Sequence, residues 1–264
     1  MIVIDQIGNS VPVASTERIV SLVPSQTLLL YDLGLDNQVV GITKFCIQPK
    51  HWLKTKKIIG GTKNIDIAKV ARLNPTLIIA NKEENEKSQI ELLQKQFPVW
   101  VSDINNLADS LMMIHYIGVI TQTSIKAEKI IANIRHEFNK LRYKAQSCNV
   151  AYFIWRKPYM VAGKNTFINE LINFAGWHNV FSNKQRYSMV TKLDIAQAKP
   201  DVILLSSEPY PFKEKHIEEF KIIAPEAIIL IVKGETFTWY GSYLQYSPNE
   251  IISIQQQIQC TYTH

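Results

Sequence analysis

The feature that most constrains the fold of this 264-residue chain is an alternation of short apolar strands with helices. Residues 76–80 form a largely apolar run, which is typical of a strand buried on both faces of a sheet. Asn74 and Pro75 stand before this run and end a short helix that Asp66 begins. Strands that alternate with helices predict an α/β fold with a mainly parallel sheet.

The same alternation runs through the rest of the first half. The β-branched run at residues 18–22 ends at Val23 and Pro24, and Ser25 is placed to cap a helix at residues 27–33. The remaining predicted segments of this half are strands at residues 39–43 and 99–101 and a helix at residues 85–96. Together these segments predict one α/β lobe.

A long helical stretch without a strand comes next, at residues 106–121 and 124–144. In its second helix the apolar side chains recur at helical spacing and share one face: Ile130, Ile131, Ile134, Phe138 and Leu141. We therefore expect residues 124–144 to form a stiff connector rather than a flexible linker.

The alternation of strands and helices then restarts. The first segments of the second half are a strand at residues 150–155 and a helix at residues 166–175. Further on, Asp194 begins a helix, Pro200 ends it and a buried strand follows at residues 202–205, which repeats the order seen after Asp66. This repetition predicts two lobes with bounds at residues 1–122 and 146–264 and a connecting helix at residues 123–145.

The composition excludes several classes of protein. The net charge is +6, but the lysines are scattered, and the densest group is Lys54, Lys56 and Lys57. Because a nucleic-acid-binding protein more often carries a concentrated basic stripe, we expect no nucleic-acid partner. No apolar run approaches the ~20 residues that cross a bilayer, so we expect no membrane span.

The N-terminus and the cysteines add two further expectations. The first residues lack the basic start and the apolar stretch of an export signal, which leaves the compartment open between the cytoplasm and the outside of the membrane. The three cysteines, Cys46, Cys148 and Cys260, have no spacing typical of a zinc site, and we interpret them as incidental or core residues.

The chain lacks the motifs of common catalytic sites. The only segment similar to a phosphate-binding loop begins at Gly60 and Gly61, and it does not fit the spacing of that motif. The six histidines show no paired metal spacing, and runs of carboxylates are usually solvated. We therefore expect no enzyme and no cofactor, although distant residues can still assemble a catalytic triad.

Aromatic residues are concentrated where strands end. Phe45 follows one strand, Trp155 and Tyr159 follow another, and the last predicted strand precedes a cluster of rings: Phe237, Trp239, Tyr240, Tyr243 and Tyr246. Loops at the carboxyl ends of parallel strands bind ligands, and aromatic faces there suit a broad, partly apolar ligand. The alternative is that these rings fill the interface between the lobes. Arg156 and Arg186 are candidates to bind an anionic group of the ligand, or to form ordinary surface salt bridges.

Several segments resemble one family of binding proteins. The segments in the first half are residues 18–27 (RIVSLVPSQT), 40–43 (VGIT) and 73–80 (LNPTLIIA), and those in the second half are residues 163–167 (GKNTF), 175–181 (AGWHNVF) and 199–203 (KPDVI). Their order and spacing, over roughly residues 16–258, are similar to the cobalamin- and siderophore-binding proteins of ABC importers.

The resemblance implies two Rossmann-like lobes joined by one long helix, here residues 124–144, with the ligand between the lobes. It places Phe45, Tyr159 and the segment of Trp239 and Tyr240 in the ligand lining, with Trp100 and Trp155 as less direct matches. Tyr243 and Arg156 complete the predicted ligand-binding set. The resemblance also implies that one exposed acidic residue on each lobe docks onto a membrane permease, from the candidates Glu83, Glu84 and Glu86 on the first lobe and Glu214, Glu218 and Glu219 on the second.

The function implied by this resemblance is the non-catalytic capture of a cobalt corrinoid whose metal is already chelated, so that no protein metal ligand is assigned. A ferric siderophore or haem is the alternative ligand if Arg156 and Arg186 point towards it. A two-lobed enzyme and a cytosolic chelate carrier are alternatives from other classes. We expect the protein to be a monomer that takes a small metal chelate from solution and delivers it to an ABC permease.

Overall fold

The structure is a computed structural model that describes residues 1–143 and 147–262, without the side chains of residues 142, 143 and 260–262. The predicted helix end at residue 144 and the side chain of Cys260 therefore lie outside the described residues. The chain divides into two compact units. Unit 1 contains Met1–Ile104, Ala108–Ala132 and Tyr240–Tyr243, and unit 2 contains Asn105–Leu107, Asn133–Trp239 and Leu244–His264.

Unit 1 begins with a two-stranded antiparallel hairpin and continues with a five-stranded sheet. The hairpin strands are β1 (Ile2–Ile4) and β2 (Ser10–Pro12). The sheet strands are β3 (Ile19–Ser21), β4 (Val39–Ile42), β5 (Lys57–Ile58), β6 (Leu77–Asn81) and β7 (Val99–Ser102). Their order is β5-β4-β3-β6-β7 and all four pairings are parallel, as the sequence predicted for an α/β fold.

Of the helices that begin in the first half, the first five each follow a strand of this sheet, and the sixth follows the fifth directly. They are α1 (Pro24–Asp32), α2 (Trp52–Thr55), α3 (Ile67–Arg72), α4 (Lys87–Gln94), α5 (Leu107–Ile120) and α6 (Ser124–Tyr143). The predicted cap is correct for α3, since the Asp66 side chain accepts a hydrogen bond from the Lys69 amide. It is wrong for α1, because Ser25 lies inside the helix and the N-cap residue is Val23. Pro24 at the first helical position explains this start, since its ring presets the helical φ.

Unit 2 contains a six-stranded mixed sheet. Its strands are β8 (Asn149–Trp155), β9 (Tyr159–Ala162), β10 (His178–Asn179), β11 (Tyr187–Val190), β12 (Val202–Ser206) and β13 (Ile228–Val232). The order is β11-β9-β8-β12-β13, and β10 pairs with the start of β8. Strands β8, β12 and β13 are parallel neighbours, whereas β9 and β11 are antiparallel additions at one side.

The helices of the second half cover this sheet. They are α7 (Phe167–Phe174), α8 (Lys192–Ala198), α9 (Ile217–Ile223), α10 (Glu235–Thr238) and α11 (Ser247–Tyr262). Asp194 was predicted to cap α8, but the N-cap is Thr191, and Asp194 is its partner three residues later in a capping box. Within the described residues, no helix is both long and apolar enough to cross a membrane.

Candidate functional site

In unit 1 the parallel strands place an exposed aromatic ring at one edge of the sheet. Their carboxyl ends lie together, and Phe45 is in the loop that leaves β4 there. Half of the Phe45 surface is exposed, and the Lys44 ammonium lies 5.1 Å from the centre of its ring. The ring also rests against Gly61, where an added Cβ would be only 3.0 Å from a ring carbon. Phe45 therefore stands at the predicted edge with ring surface available for stacking.

Behind Phe45, a buried polar group fixes the start of this loop. The Cys46 sulfur is fully buried, accepts a hydrogen bond from the Thr27 hydroxyl at 3.0 Å and lies 3.2 Å from the Thr43 hydroxyl. Burial raises the pKa of the Cys46 thiol, against the hydrogen bonds from these two threonines. The expectation that Cys46 is a core residue is thus confirmed.

A pair of buried asparagines organises the neighbouring loop after β6. The Asn81 side chain accepts hydrogen bonds from the amides of Glu83 and Glu84, at 2.8 and 3.0 Å. The Asn85 side chain accepts from the Asn81 amide at 2.8 Å and donates to carbonyls of two other segments, Leu22 and Thr62. Neither asparagine stands in a motif that the sequence reveals, yet together they hold the loop that carries Glu83 and Glu84.

Tyr240 and Tyr243 are part of unit 1, although they come late in the chain. Tyr240 is 6% exposed, and its hydroxyl lies 3.4 Å from a Glu84 carboxylate oxygen. Burial raises the pKa of the Tyr240 phenol well above its ordinary value. The amide of Gly241 donates to the Ser110 hydroxyl at 3.2 Å and holds the same segment. Tyr240 is thus a core side chain of unit 1, and Tyr243 is partly buried.

In unit 2 the carboxyl ends of β8, β12 and β13 also lie at one edge. Trp155 ends β8 and is 38% exposed. Its ring meets the Tyr210 ring edge to face, with 5.6 Å between the centres, and its indole nitrogen donates to the Lys157 carbonyl at 3.2 Å. These two contacts hold the indole in place while part of its surface stays open to solvent.

Arg156 and Tyr159 meet at a carboxylate that was predicted for a different role. The Arg156 guanidinium donates to one Glu219 oxygen, with nitrogen–oxygen distances of 2.8 and 2.6 Å, and the Tyr159 hydroxyl donates to the other oxygen. Burial opposes ionisation of Glu219, but the hydrogen bonds from Tyr159 and Arg156 hold its pKa below the ordinary value. Two predicted ligand-binding residues and one predicted docking residue therefore form a single cluster within unit 2.

A second carboxylate at this edge, Glu208, was missed by sequence analysis. It follows β12, and its carboxylate accepts hydrogen bonds from the Thr238 hydroxyl at 2.9 Å and from Trp239. Burial and the nearby Glu235 charge raise the pKa of Glu208. Gly234 permits this approach, because a Cβ there would lie 2.1 Å from Glu208 Cγ. Trp239 is 5% exposed, so it supports Glu208 more than it presents a surface.

The remaining predicted residues differ in exposure. Trp100 is fully buried within β7 and offers no surface at the sheet edge. Arg186 is exposed on the segment that leads into β11. Among the predicted docking acids, Glu86, Glu214 and Glu218 are exposed, whereas Glu83, Glu84 and Glu219 are partly buried. Across the described part of the chain, no cluster of three or more His, Cys, Asp or Glu side chains could hold a metal ion.

Each of the two α/β units has parallel strands whose carboxyl ends carry an exposed aromatic ring, and loops at such strand ends can bind a ligand. The comparison with family models agrees, since the periplasmic binding protein model matches residues 19–223. The chain belongs to the periplasmic binding protein family. The recognition of the family and of the α/β fold from the sequence is confirmed.

Curated relatives fall in the same group. The chain is 29% identical over 197 residues to the vitamin B12-binding protein of Vibrio parahaemolyticus, an alignment that covers 72% of this chain and 70% of that protein. It is 27% identical over 199 residues to the uncharacterized ABC transporter substrate-binding lipoprotein YvrC of Bacillus subtilis. That alignment covers 71% of this chain and 63% of the lipoprotein, so the chain matches less than two thirds of this relative.

Solved structures share the fold at lower identity. The periplasmic heme-binding protein RhuT from Roseiflexus sp. RS-1, in apo form, superposes with a TM-score of 0.81 at 19% identity, over 92% of this chain and 100% of that chain. The periplasmic vitamin B12 binding protein BtuF of Vibrio cholerae gives a TM-score of 0.80 at 20% identity, over 92% and 98%. At such identities the likeness establishes the fold alone.

Proposed function

We propose that this chain is the substrate-binding component of an ABC import system and captures a corrinoid, a broad metal chelate with amide side chains. The observation that carries this proposal is an exposed aromatic ring at the carboxyl edge of each sheet, Phe45 in unit 1 and Trp155 in unit 2. Aromatic faces suit a wide ring with both apolar surface and polar substituents. The name of the Vibrio relative supports a corrinoid ligand, and the name of the Bacillus relative supports the role in an ABC system.

The charges at these edges favour a corrinoid over an anionic chelate. Arg156, the candidate for an anionic group in unit 2, already donates to Glu219. A corrinoid with amide side chains needs hydrogen-bonding groups more than a free cation. Haem or a ferric siderophore remains the second candidate, because Arg186 is exposed and Lys44 lies beside Phe45.

The proposed function does not include turnover of the ligand. The family is one of binding proteins, and the charged cluster at the edge of unit 2 is an ion pair between Arg156 and Glu219. The second partly buried carboxylate, Glu208, accepts hydrogen bonds from its own unit. We propose that these groups hold the site in shape. A product released from a corrinoid or a haem incubated with the protein would contradict this part of the proposal.

The proposal also includes docking onto a permease through acidic residues. Glu86 at the start of α4, and Glu214 and Glu218 around the start of α9, are exposed and fit this role better than the other predicted acids. Glu219 fits it less well, because its carboxylate binds Arg156 and Tyr159. Charged residues at the rim of an interface mainly change the rate and the salt dependence of association.

A titration with matched variants tests the proposed function. Quenching of tryptophan fluorescence would be followed as cyanocobalamin, haemin or a ferric hydroxamate is added to the wild type. We expect saturation with cyanocobalamin, and Phe45→Ala and Trp155→Ala should each weaken binding by about 1–3 kcal/mol through the lost aromatic contact. Because an indole is removed in Trp155→Ala, isothermal calorimetry would supply its affinity.

Tyr116→Ala is the matched control for these variants, since Tyr116 is 37% exposed but lies within the helix α5 and not in a loop that follows a strand. The affinity of Tyr116→Ala for cyanocobalamin should equal that of the wild type. The corrinoid proposal is refuted if cyanocobalamin gives no saturable signal while haemin or the siderophore does. If none of the three ligands saturates the protein, capture of a metal chelate is itself refuted.

A further inference from the structure

We infer that Glu219 sets the charge selectivity of the binding edge of unit 2, by pairing with Arg156, the partly buried guanidinium that would otherwise bind an anionic ligand group. This inference rests on the proposed function, because it concerns the same ligand site. It assigns Glu219 to ligand selection rather than to docking. The class of ligand it selects is a neutral chelate whose side chains are amides, in preference to the same chelate with carboxylates.

Arg156 and Glu219 lie where the carboxyl ends of the parallel strands of unit 2 meet the following helix. Arg156 follows β8, the central parallel strand of the sheet, and Glu219 lies in the first turn of α9, the helix between β12 and β13. In an α/β unit the loops after the strands and the starts of the following helices lie on the ligand side of the sheet. Arg156 and Glu219 are therefore at the edge that also presents Trp155.

Arg156 and Glu219 form a partly buried ion pair with two hydrogen bonds. The side chains of Arg156 and Glu219 are 26% and 21% exposed, so each still reaches the surface. Two guanidinium nitrogens, Nε and Nη2, lie 2.8 and 2.6 Å from Glu219 Oε2. The guanidinium also donates to the Tyr210 hydroxyl, which lies on the segment after β12. At this degree of burial the two charges are less screened by water than an exposed ion pair is.

The Glu219 charge disfavours a ligand carboxylate at Arg156. A carboxylate that approached Arg156 would meet the Glu219 charge close by and would have to compete with it for the same donors. An amide in the same place brings no charge and meets no such competition. Arg–carboxylate hydrogen bonds are among the strong ones, so an Arg156 without Glu219 would favour the anionic ligand.

The Tyr159 hydroxyl donates a hydrogen bond to Glu219 and also favours an amide over a carboxylate. Its proton is donated to Glu219, which leaves the phenol oxygen as an acceptor for a ligand N–H. Amides carry such N–H groups and carboxylates do not. The cluster of Arg156, Glu219 and Tyr159 thus offers an acceptor and no unpaired positive charge, which matches amide side chains.

The experiment compares a neutral ligand with three derivatives, each of which carries one carboxylate in place of one amide. Cyanocobalamin and its b-, d- and e-monocarboxylates, each with one propionamide replaced by propionate, would be titrated by calorimetry into four proteins. These are the wild type, Glu219→Gln, the double variant Glu219→Gln with Arg156→Gln, and Glu218→Gln. The quantity measured is the ratio of the amide Kd to the monocarboxylate Kd for each protein.

Glu218→Gln is the matched control, because it removes the same charge from the neighbouring position. The Glu218 side chain is exposed, and its partner is Lys221 at 3.8 Å. Glutamine at position 219 keeps an oxygen that can accept from Tyr159 but removes the negative charge that holds Arg156. Circular dichroism and the urea midpoint of each variant would show that the fold is retained.

We expect Glu219→Gln to raise the ratio by about 10- to 100-fold for at least one monocarboxylate, the gain of one hydrogen bond between charged groups. The double variant should return the ratio to the wild-type value, and Glu218→Gln should leave it unchanged. A ratio in Glu219→Gln that stays within threefold of the wild type for all three monocarboxylates would overturn the inference. In that case wild-type binding of cyanocobalamin would still uphold the proposed function, whereas a wild type that binds none of the four ligands would overturn both.

Discussion

Removal of the Asn85 side chain should loosen the loop after β6 in unit 1. It is 3% exposed and joins three segments through its side chain. The side-chain oxygen accepts from the Asn81 amide at 2.8 Å, and the nitrogen donates to the carbonyls of Leu22 at 3.3 Å and Thr62 at 3.0 Å. Asn85→Ala removes these three hydrogen bonds and places no group of similar size there.

The expected loss follows from these contacts. A typical hydrogen bond contributes about 1 kcal/mol to the free energy of unfolding, so three of them give about 3 kcal/mol. Buried groups left without a partner would add to this loss, and water that entered the space would reduce it. Since a domain is stable by only about 5–15 kcal/mol, a change of this size is large. Asn85→Asp should not rescue it, because a carboxylate cannot donate to the two carbonyls.

The assay is urea unfolding together with amide hydrogen exchange resolved by peptide. Trp52 and Trp100 are buried in unit 1 and report its unfolding. Exchange should also accelerate for the amides of Glu83 and Glu84, because their acceptor Asn81 loses its own partner. The control Glu86→Ala changes an exposed residue that makes no side-chain cap bond and should shift stability by less than about 0.5 kcal/mol. A loss below about 1 kcal/mol for Asn85→Ala, with unchanged exchange, would refute this account of the loop.

Two further predictions concern titratable groups. In the folded protein the pKa of Glu208 is raised, mainly by burial. Above about pH 4.3 the unfolded chain therefore releases a proton that the folded protein still holds. The stability of the wild type falls as the pH rises from this value through the folded pKa. Glu208→Gln should therefore be more stable than the wild type at pH 8 and equal to it below about pH 4, as measured by urea midpoints at both pH values; equal midpoints at pH 8 would contradict the assignment. Burial raises the pKa of Cys148 to about 12. At pH 8 its alkylation by iodoacetamide, followed by peptide mass spectrometry, should be slower in the folded protein than in the urea-unfolded chain. The rate in the folded protein should still increase with pH at pH 10. A rate that reaches its plateau by pH 9 would show that the thiol is not perturbed.

The parts of the fold that could be predicted from the sequence are those set by strong local patterns. Buried parallel strands such as β6 and β12 are continuous apolar runs, and their preceding breaks at Pro75 and Pro200 are unambiguous. Strands β9 and β11 were not predicted, because they lie at the antiparallel side of the sheet and their side chains are mostly partly exposed. The hairpin of β1 and β2 was missed for a similar reason, since its short strands are largely exposed.

The positions of the exposed aromatic residues at the sheet edges could be predicted because each depends on one strand end, and a strand end is a local feature. Phe45 and Trp155 are exposed there, as expected. Tyr240 was placed with them because it follows a predicted strand and matches the ligand lining of the family. It is only 6% exposed, and its hydroxyl lies 3.4 Å from Glu84, which is far away in sequence.

Charge at the same edge could not be predicted in this way, because the charge that a ligand meets belongs to a pair and not to a residue. Arg156 and Glu219 are 63 positions apart and become neighbours only because β12 is inserted between β8 and β13, which brings the start of α9 beside the end of β8. No fixed spacing in the sequence marks such a pair. The sequence left two roles open for Arg156, binding of an anionic ligand group and a salt bridge, and the structure shows the salt bridge. In the inference made above, this pairing with Glu219, rather than the aromatic rings, distinguishes an amide ligand from an anionic one.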